Sequence, residues 1–462
     1  MKVEEKMNQT IVKKNEEYIV DIIDNGYEGE GIAKIDNFTV FIPGAIRGEK
    51  VKILIVKVTS SHAFGKIMDI LSASEKRNNK VDCDTYKRCG GCNLRHIKYE
   101  ETLKIKRDTV QNLVNKTLKT KIEVKQTIGM ERPYNYRNKA QYPVGIDKAG
   151  NPVIGVFANR THEVIPINNC FIQNKESQEI AKYICNFLKE HNVTVYNEKK
   201  QNGLVRHIMI KVGIRTDEIM CVIVINGKNI PQEELLVKDL IKRFPNIKTI
   251  VKNINTKNTN VILGDKNINL YGDGYIYDRL GDYTFKISPL SFYQINPLQT
   301  EKLYNLAVEY ANLTGKETVI DLYCGIGTIG IFMAKQAKQV YGVEIVEQAI
   351  EDAEENCKIN NIENAKYYVG DTETVFEKLI TKEKIQADVI VVDPPRKGLD
   401  NTTIENIIKI KPKKVVYISC NPSTLMRDLA KLENNYELKE IQPVDMFPFT
   451  SHVECVCVLN RC

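Results

Sequence analysis

From Thr318 onward the chain repeats one unit, a short apolar run, a turn, and a stretch of helical period. The runs Thr318–Tyr323, Gln339–Glu344, Ala365–Val369, Asp388–Val392 and Lys414–Ser419 are each followed by a predicted helix. Successive strand–helix units pack only as a parallel sheet with helices on both faces, because each right-handed crossover returns the chain to the same sheet. Ligands of such a doubly wound sheet bind beyond the carboxyl ends of its strands. The residues just after each run are therefore the ones to read for chemistry. Asn296-Pro297 opens this region as helix cap and first helical position, and the helix is expected to run to Leu313 before Gly315. Strands near Tyr436–Ile441 and Val453–Leu459 should close it.

A chain of 462 residues is too long for one core and implies about three domains. We divide it into an N-terminal extension (1–14), a barrel (15–73), a middle domain (74–285) and the doubly wound domain (286–462). In the barrel, Tyr18–Ile23, Phe38–Pro43 and Val51–Val58 read as strands and Gly26–Gly31 as turn. Five short strands in under sixty residues predict a small closed sheet of OB type, a common nucleic-acid platform. The middle domain mixes strands (His207–Val212, Met220–Ile225) with helices (Gln178–Glu190) and is expected to be α+β. The stretch Tyr99–Thr117 predicts an amphipathic helix with Leu103, Val110, Leu113 and Val114 on one face, packed on the doubly wound domain. The fold class is α/β. The longest apolar stretch, Thr318–Ala334, is interrupted by Asp321 and three glycines, and the first fifteen residues lack an apolar signal core. A cytoplasmic monomer without membrane contact is expected.

Charge matters here by its location. Lys+Arg exceed Asp+Glu by only 7, yet residues 71–140 carry 17 basic and 8 acidic side chains. One seventh of the chain thus holds more than the whole net charge, which favours a polyanionic partner, RNA or DNA. Lys87, Arg88, Arg95, Lys98, Arg137 and Lys139 are the candidate phosphate contacts.

Asp321-Leu-Tyr-Cys-Gly325-Ile-Gly327-Thr-Ile-Gly330 places G-x-G-x-x-G at the first strand-to-helix turn, and Glu344 ends the next strand nineteen residues after Gly325. The glycines let backbone approach a nucleotide, and a carboxylate at that place can accept both hydroxyls of an adenosine ribose. NAD would satisfy this much. Asp371 after the third run and Asp393-Pro-Pro-Arg396 after the fourth favour another cofactor, because the latter resembles the motif of class I S-adenosylmethionine methyltransferases. Cys420 follows the fifth run and precedes a helix capped near Ser423, whose N-terminus is expected to lower the thiol pKa, as suits a nucleophile. His452 and Glu454 are both candidate bases. Cys83, Cys89 and Cys92 have metal-ligand spacing with one ligand missing; His96 would complete a zinc site and Cys170 an iron–sulfur site. Cys185, Cys221, Cys324 and Cys357 read as ordinary thiols, and Cys455 and Cys457 as strand packing.

Taken together, these motifs resemble the bacterial RNA uracil-5-methyltransferase family, and within it the branch acting on 23S ribosomal RNA. The resemblance covers about residues 15–462. It runs through a TRAM-like barrel (Gly26–Gly31, Phe41–Gly44), the cysteine set, Tyr136–Gln141, Ile287–Asn296, Asp393–Arg396, Ser419–Pro422 and His452–Glu454. It implies that Gln294, Tyr323, Glu344 and Asp393 contact S-adenosylmethionine. It also implies that Cys420 is the nucleophile, that Glu454 is the base, and that Cys83, Cys89, Cys92 and Cys170 hold a [4Fe-4S] cluster. The barrel and the cluster set favour ribosomal over transfer RNA within this resemblance. A tRNA enzyme and a non-catalytic RNA-binding protein are the alternatives.

Overall fold

A computed structural model describes residues 12–78, 80–158 and 161–462. Most of the expected extension 1–14 lies outside the described residues.

The strand–helix units form one seven-stranded sheet. Its order is Ala365–Val369, Gln339–Glu344, Thr318–Leu322, Val389–Val392, Lys414–Ser419, Glu454–Arg461, Tyr436–Val444. The first five strands are parallel. The chain's last strand inserts antiparallel between the fifth and Tyr436–Val444. Both faces are covered, and the strand residues alternate between two cores. Val389 and Val391 join Leu303, Ile331 and Phe332 on one side, while Ile390 and Val392 join Phe376, Ile407 and Leu429 on the other. That double burial is why these strands read as unbroken apolar runs. Strand order reverses between Thr318–Leu322 and Val389–Val392, which opens a crevice at their carboxyl ends.

The helix Tyr99–Thr117 packs on this domain. Val110 and Val114 lie in one hydrophobic cluster with Leu425, Leu429 and Ile441. Its buried face comprises Thr102, Ile105, Lys106, Val110 and Val114, turned slightly from the face through Leu103 and Leu113. The turn follows from Lys106, which reaches Asp445 at 2.5 Å in the interior.

The middle domain is a seven-stranded mixed sheet with the helices Lys175–Glu190 and Glu233–Arg243 packed on one face. The other face (Met209, Met220, Val222) shares a core with the C-terminal domain through the hairpin Ile276–Leu280 and Tyr283–Ile287. A boundary at 285/286 therefore cuts a strand, and the hairpin belongs structurally with the C-terminal domain. Tertiary packing of Ile276, Phe285 and Ile287 on Leu303 and Phe332 decides this, and no local pattern reports it.

The barrel has six strands rather than five, in the order Glu17–Asp21, Lys50–Val58, His62–Ser72, Phe38–Ile42, Gly31–Ile35, Asp24–Asn25. The additional one is the two-residue ladder of Asp24 and Asn25, too short for a periodic signal. Its core is built from Val20, Val40, Ile42, Val51 and Ile53. Among the described residues, no helix is long and apolar enough to cross a membrane.

Candidate active site

A cavity of about 670 Å³ opens at the carboxyl edge of the C-terminal sheet. Gln294, Tyr323, Glu344, Asp393, Cys420 and Glu454 all line it, though they come from six separate stretches of chain. Sheet register brings the last two together. Ser419 pairs with Cys455 at the end of the antiparallel ladder, so Cys420 and Glu454 are the residues just beyond that last pair, and both line the cavity. Glu454 is 4% exposed, whereas His452, also at the cavity, sits at its exposed rim with its ring edge-on to Phe447.

The glycine turn is shaped by the next strand. Glu344 accepts from Gly325 N–H at 3.2 Å and from Val346 N–H at 3.0 Å. A carboxylate has about four lone-pair sites, so both oxygens can still accept ligand hydroxyls. Gly325 (φ 53°) and Gly327 (φ 78°) adopt left-handed backbone, and a side chain at Gly327 would strike Tyr367. Ile345 and Val346 are 62% and 52% exposed at the cavity, an apolar face suited to an adenine ring. Gln294 is held by the other half of the chain. Asn138 Nδ2 donates to its carbonyl at 2.9 Å, joining the Tyr136–Gln141 motif to the Ile287–Asn296 motif.

Acidic groups dominate the electrostatics. Burial and the neighbouring Asp393 push Glu454 up to about 8, and burial alone pushes Asp393 up to about 7. Asp321, fully buried below the glycine turn, is raised to about 8 by burial and by Asp393, against the pull of the Gly330 backbone N–H. Two cavity carboxyls that resist ionisation, Asp393 and Glu454, with Asp321 buried behind them, fit a ligand that brings positive charge, as a sulfonium and an ammonium group would. The expected lowering of the Cys420 thiol pKa is not found. The helix Pro422–Leu432 does begin beside it, but burial together with Glu454 and Asp393 pushes the thiol up to about 11. Burial and two carboxyls from other strands outweigh one helix terminus. Arg396, to which the sequence assigned no role of its own, opposes them at both Cys420 and Glu454. The Asp-Pro-Pro-Arg motif was its only sequence signal. Its backbone carbonyl accepts from Asn421 Nδ2 at 3.1 Å, tying the two loops together.

Comparison with known proteins gives this constellation its kin. Residues 98–462 match the tRNA (uracil-5-)-methyltransferase family, and residues 12–68 match the TRAM domain. The chain belongs to the tRNA (uracil-5-)-methyltransferase family. The methyltransferase is 48% identical to an uncharacterized RNA methyltransferase of Clostridium acetobutylicum, over 97% of this chain and 98% of that one. It is 46% identical to another from Halalkalibacterium halodurans, over 98% of each. Its fold is similar to that of Pyrococcus abyssi tRNA (uracil-54, C5)-methyltransferase, solved with S-adenosyl-L-homocysteine. The TM-score is 0.77 at 27% identity, over 96% of this chain and 100% of that one. The chain is an S-adenosylmethionine-dependent RNA methyltransferase with an N-terminal TRAM domain.

The four cysteines of this methyltransferase converge away from the active site. Cys83, Cys89, Cys92 and Cys170 line a separate cavity of about 160 Å³ together with Arg95 and Arg137. Burial and the nearby Cys170 push Cys92 up to about 12. His96 does not line this cavity; its Nδ1 pairs with the Tyr86 hydroxyl at 2.6 Å. Among the described residues, no group of three or more His, Cys, Asp or Glu is drawn together as ligands of a single metal ion.

The basic window is only partly surface. Arg95 is 2% exposed, paired with Asp82 at 2.7 Å and stacked on Phe449 and Phe171, so it cannot meet a phosphate. Lys106 is equally interior. Lys87, Arg88 and Lys98 remain exposed, with Arg88 paired to Glu163.

Proposed function

We propose that the chain methylates carbon 5 of a uridine in RNA through a covalent Cys420 adduct, and that the RNA is 23S ribosomal RNA. The observation that carries the chemistry is that Cys420 and Glu454, which lie just beyond the last pair of the Lys414–Ser419 and Glu454–Arg461 strands, share the cavity that also holds Asp393, Glu344 and the glycine turn. Carbon 5 of uracil is a weak nucleophile. Cys420, once its proton has passed to a carboxylate or to solvent, adds through sulfur to carbon 6, and the ring electrons move onto the 4-oxygen. S-adenosylmethionine, when bound, supplies an electrophilic methyl group, which carbon 5 takes up. Glu454 then removes the carbon 5 proton, the ring double bond re-forms, and the sulfur leaves carbon 6. Arg396, which lines the same cavity, favours the thiolate of Cys420 and the carboxylate of Glu454. A stacked base cannot present carbon 6 to a thiol, so the uridine must be flipped out or unpaired.

For the cofactor, Gln294, Tyr323, Glu344 and Asp393 are the contacts, with Glu344 on the ribose. Glu344→Ala should weaken S-adenosylmethionine binding by about 1.5–3 kcal/mol, the loss of hydrogen bonds to a charged acceptor. Calorimetry showing unchanged affinity would remove the ribose assignment. Cys83, Cys89, Cys92 and Cys170 would hold a [4Fe-4S] cluster. The donors are four thiols around one cavity, the all-thiolate set that such a cluster takes. There the cluster would cross-link the loop, since Cys420 and Glu454 account for the chemistry. Anaerobic purification should give a brown protein with about four irons per chain. Serine at any of the four should lower iron content and serine at Cys357 should not; a colourless preparation with one zinc would overturn the assignment.

The ribosomal substrate rests on the sequence resemblance. One observation favours transfer RNA instead, namely that the Pyrococcus abyssi relative named for tRNA shares 96% of this chain's length in fold. The shared architecture therefore does not separate the two substrates. Mass mapping of 5-methyluridine in ribosomal and transfer RNA from cells lacking the gene decides. Loss confined to 23S RNA is the expected result, loss confined to tRNA supports the second reading, and no loss in either would sink both.

A further inference from the structure

The segment from Asp445 to Val453 links the strands Tyr436–Val444 and Glu454–Arg461 and delivers Glu454 to the cavity. Its backbone is held largely by distant parts of the chain. The carbonyl of Met446 accepts from Asn296 Nδ2 at 3.0 Å, and that of Phe447 from Lys106 Nζ at 3.1 Å. The Phe449 carbonyl accepts from two backbone N–H groups of the cysteine loop, Asn93 at 3.2 Å and Leu94 at 2.9 Å. Two residues on, Ser451 N–H donates to Asn93 Oδ1 at 2.8 Å, and Asn93 Nδ2 donates to Ser451 Oγ at 2.9 Å.

Between these bonds Phe449 has φ 65°, a conformation that a bulky L-residue avoids. Such a turn persists only where its surroundings impose it. Here Arg95 lies 4.7 Å over the Phe449 ring and is itself fixed by Asp82. Cys420 is braced differently. Its loop is tied mainly within the C-terminal domain, by Ser419 Oγ to the Asn421 backbone and by Asn421 Nδ2 to Arg396.

We propose that the loop Asn93–Arg95, directly after Cys92, sets the position of the Glu454 carboxylate, with Asn93 as a positioning residue for the proton-removal step alone. This rests on Glu454 being the base. In that step the carbon 5 proton passes to the Glu454 carboxylate, its bonding pair re-forms the carbon 5–carbon 6 double bond, and the carbon 6–sulfur bond breaks with its pair leaving on Cys420. A base displaced by a fraction of an ångström slows this step, while addition and methyl transfer proceed.

The test uses the full-length protein with RNA carrying deuterium at carbon 5 of its uridines. Asn93→Ala should slow turnover on the order of ten- to a hundredfold, enlarge the deuterium isotope effect and accumulate a denaturation-resistant protein–RNA adduct. S-adenosylmethionine affinity should not change. Asn93→Asp should recover part of the rate: its carboxylate still accepts from Ser451 N–H and now accepts from Ser451 Oγ, while the oxygen that replaces Nδ2 is repelled by the Glu28 carbonyl, to which Nδ2 donates at 2.6 Å. An Asn93→Ala protein with a wild-type isotope effect and no adduct, whether active or inactive, overturns the proposal. Glu454→Gln is run alongside; if it forms no adduct, the base assignment itself has failed and this inference falls with it.

Discussion

Cys420→Ala should abolish methyl transfer while leaving S-adenosylmethionine affinity within about tenfold, because the thiol meets only the base. The substitution is mild structurally. Cys420 is half-buried, and the neighbouring turn is fixed by Ser419 and Asn421 rather than by its sulfur. An active variant would end the nucleophile assignment. The same thiol predicts a pH dependence. With its pKa pushed up to about 11, the thiolate fraction of the free protein grows as pH rises, so single-turnover adduct formation should accelerate from pH 7 to 9. Glu454, raised to about 8, becomes a carboxylate over the same interval, and its ionisation favours the later proton removal. A profile flat or falling across that range would mean that RNA or cofactor binding resets both groups.

Glu454→Gln should fail in a different way. Addition and methyl transfer do not need the carboxylate, whereas proton removal does, so the variant should stall as a covalent protein–RNA complex that survives denaturing electrophoresis. Loss of activity without that complex would argue against the base role. The variant also tests the electrostatics independently of RNA. In the folded protein the Glu454 carboxyl binds its proton more tightly than in the unfolded chain, where it has an ordinary carboxyl pKa. Its contribution to stability is therefore full at low pH and is lost as pH rises through about 8. Glutamine removes the burden of an interior charge. At pH 9 the variant should melt above wild type, by about 2–4 °C for each kcal/mol relieved, and the difference should vanish toward pH 4. Equal melting at both pH values would show that the interior carboxyl carries no such penalty.

Much of the C-terminal domain is legible in the sequence. The strands Gln339–Glu344, Ala365–Val369 and Lys414–Ser419 lie where the apolar runs place them, because a strand buried on both faces must be apolar throughout and must end at a turn. Glu344, Asp393 and Cys420 are legible for the same reason, since each sits at a strand's carboxyl end, where a doubly wound sheet puts its ligand. Cys83, Cys89 and Cys92 are legible through spacing alone.

Other features depend on groups far apart in sequence. The residues by themselves leave His452 and Glu454 tied as candidate bases, a tie that the resemblance resolves toward Glu454; the fold buries Glu454 in the cavity with Cys420 and leaves His452 at the rim. The helix terminus next to Cys420 predicts an acidic thiol, and burial, with the carboxyls of Glu454 and Asp393, reverses the sign. Arg95 looks like one more surface cation and is instead a buried strut under Phe449. Local pattern determined which segments became strands, helices and turns, because hydrogen bonding and side-chain period are settled among near neighbours. Proton affinity, burial and the placing of Glu454 with Cys420 were decided only by tertiary structure, because each depends on charges and contacts that the folded chain brings together from far apart in the sequence.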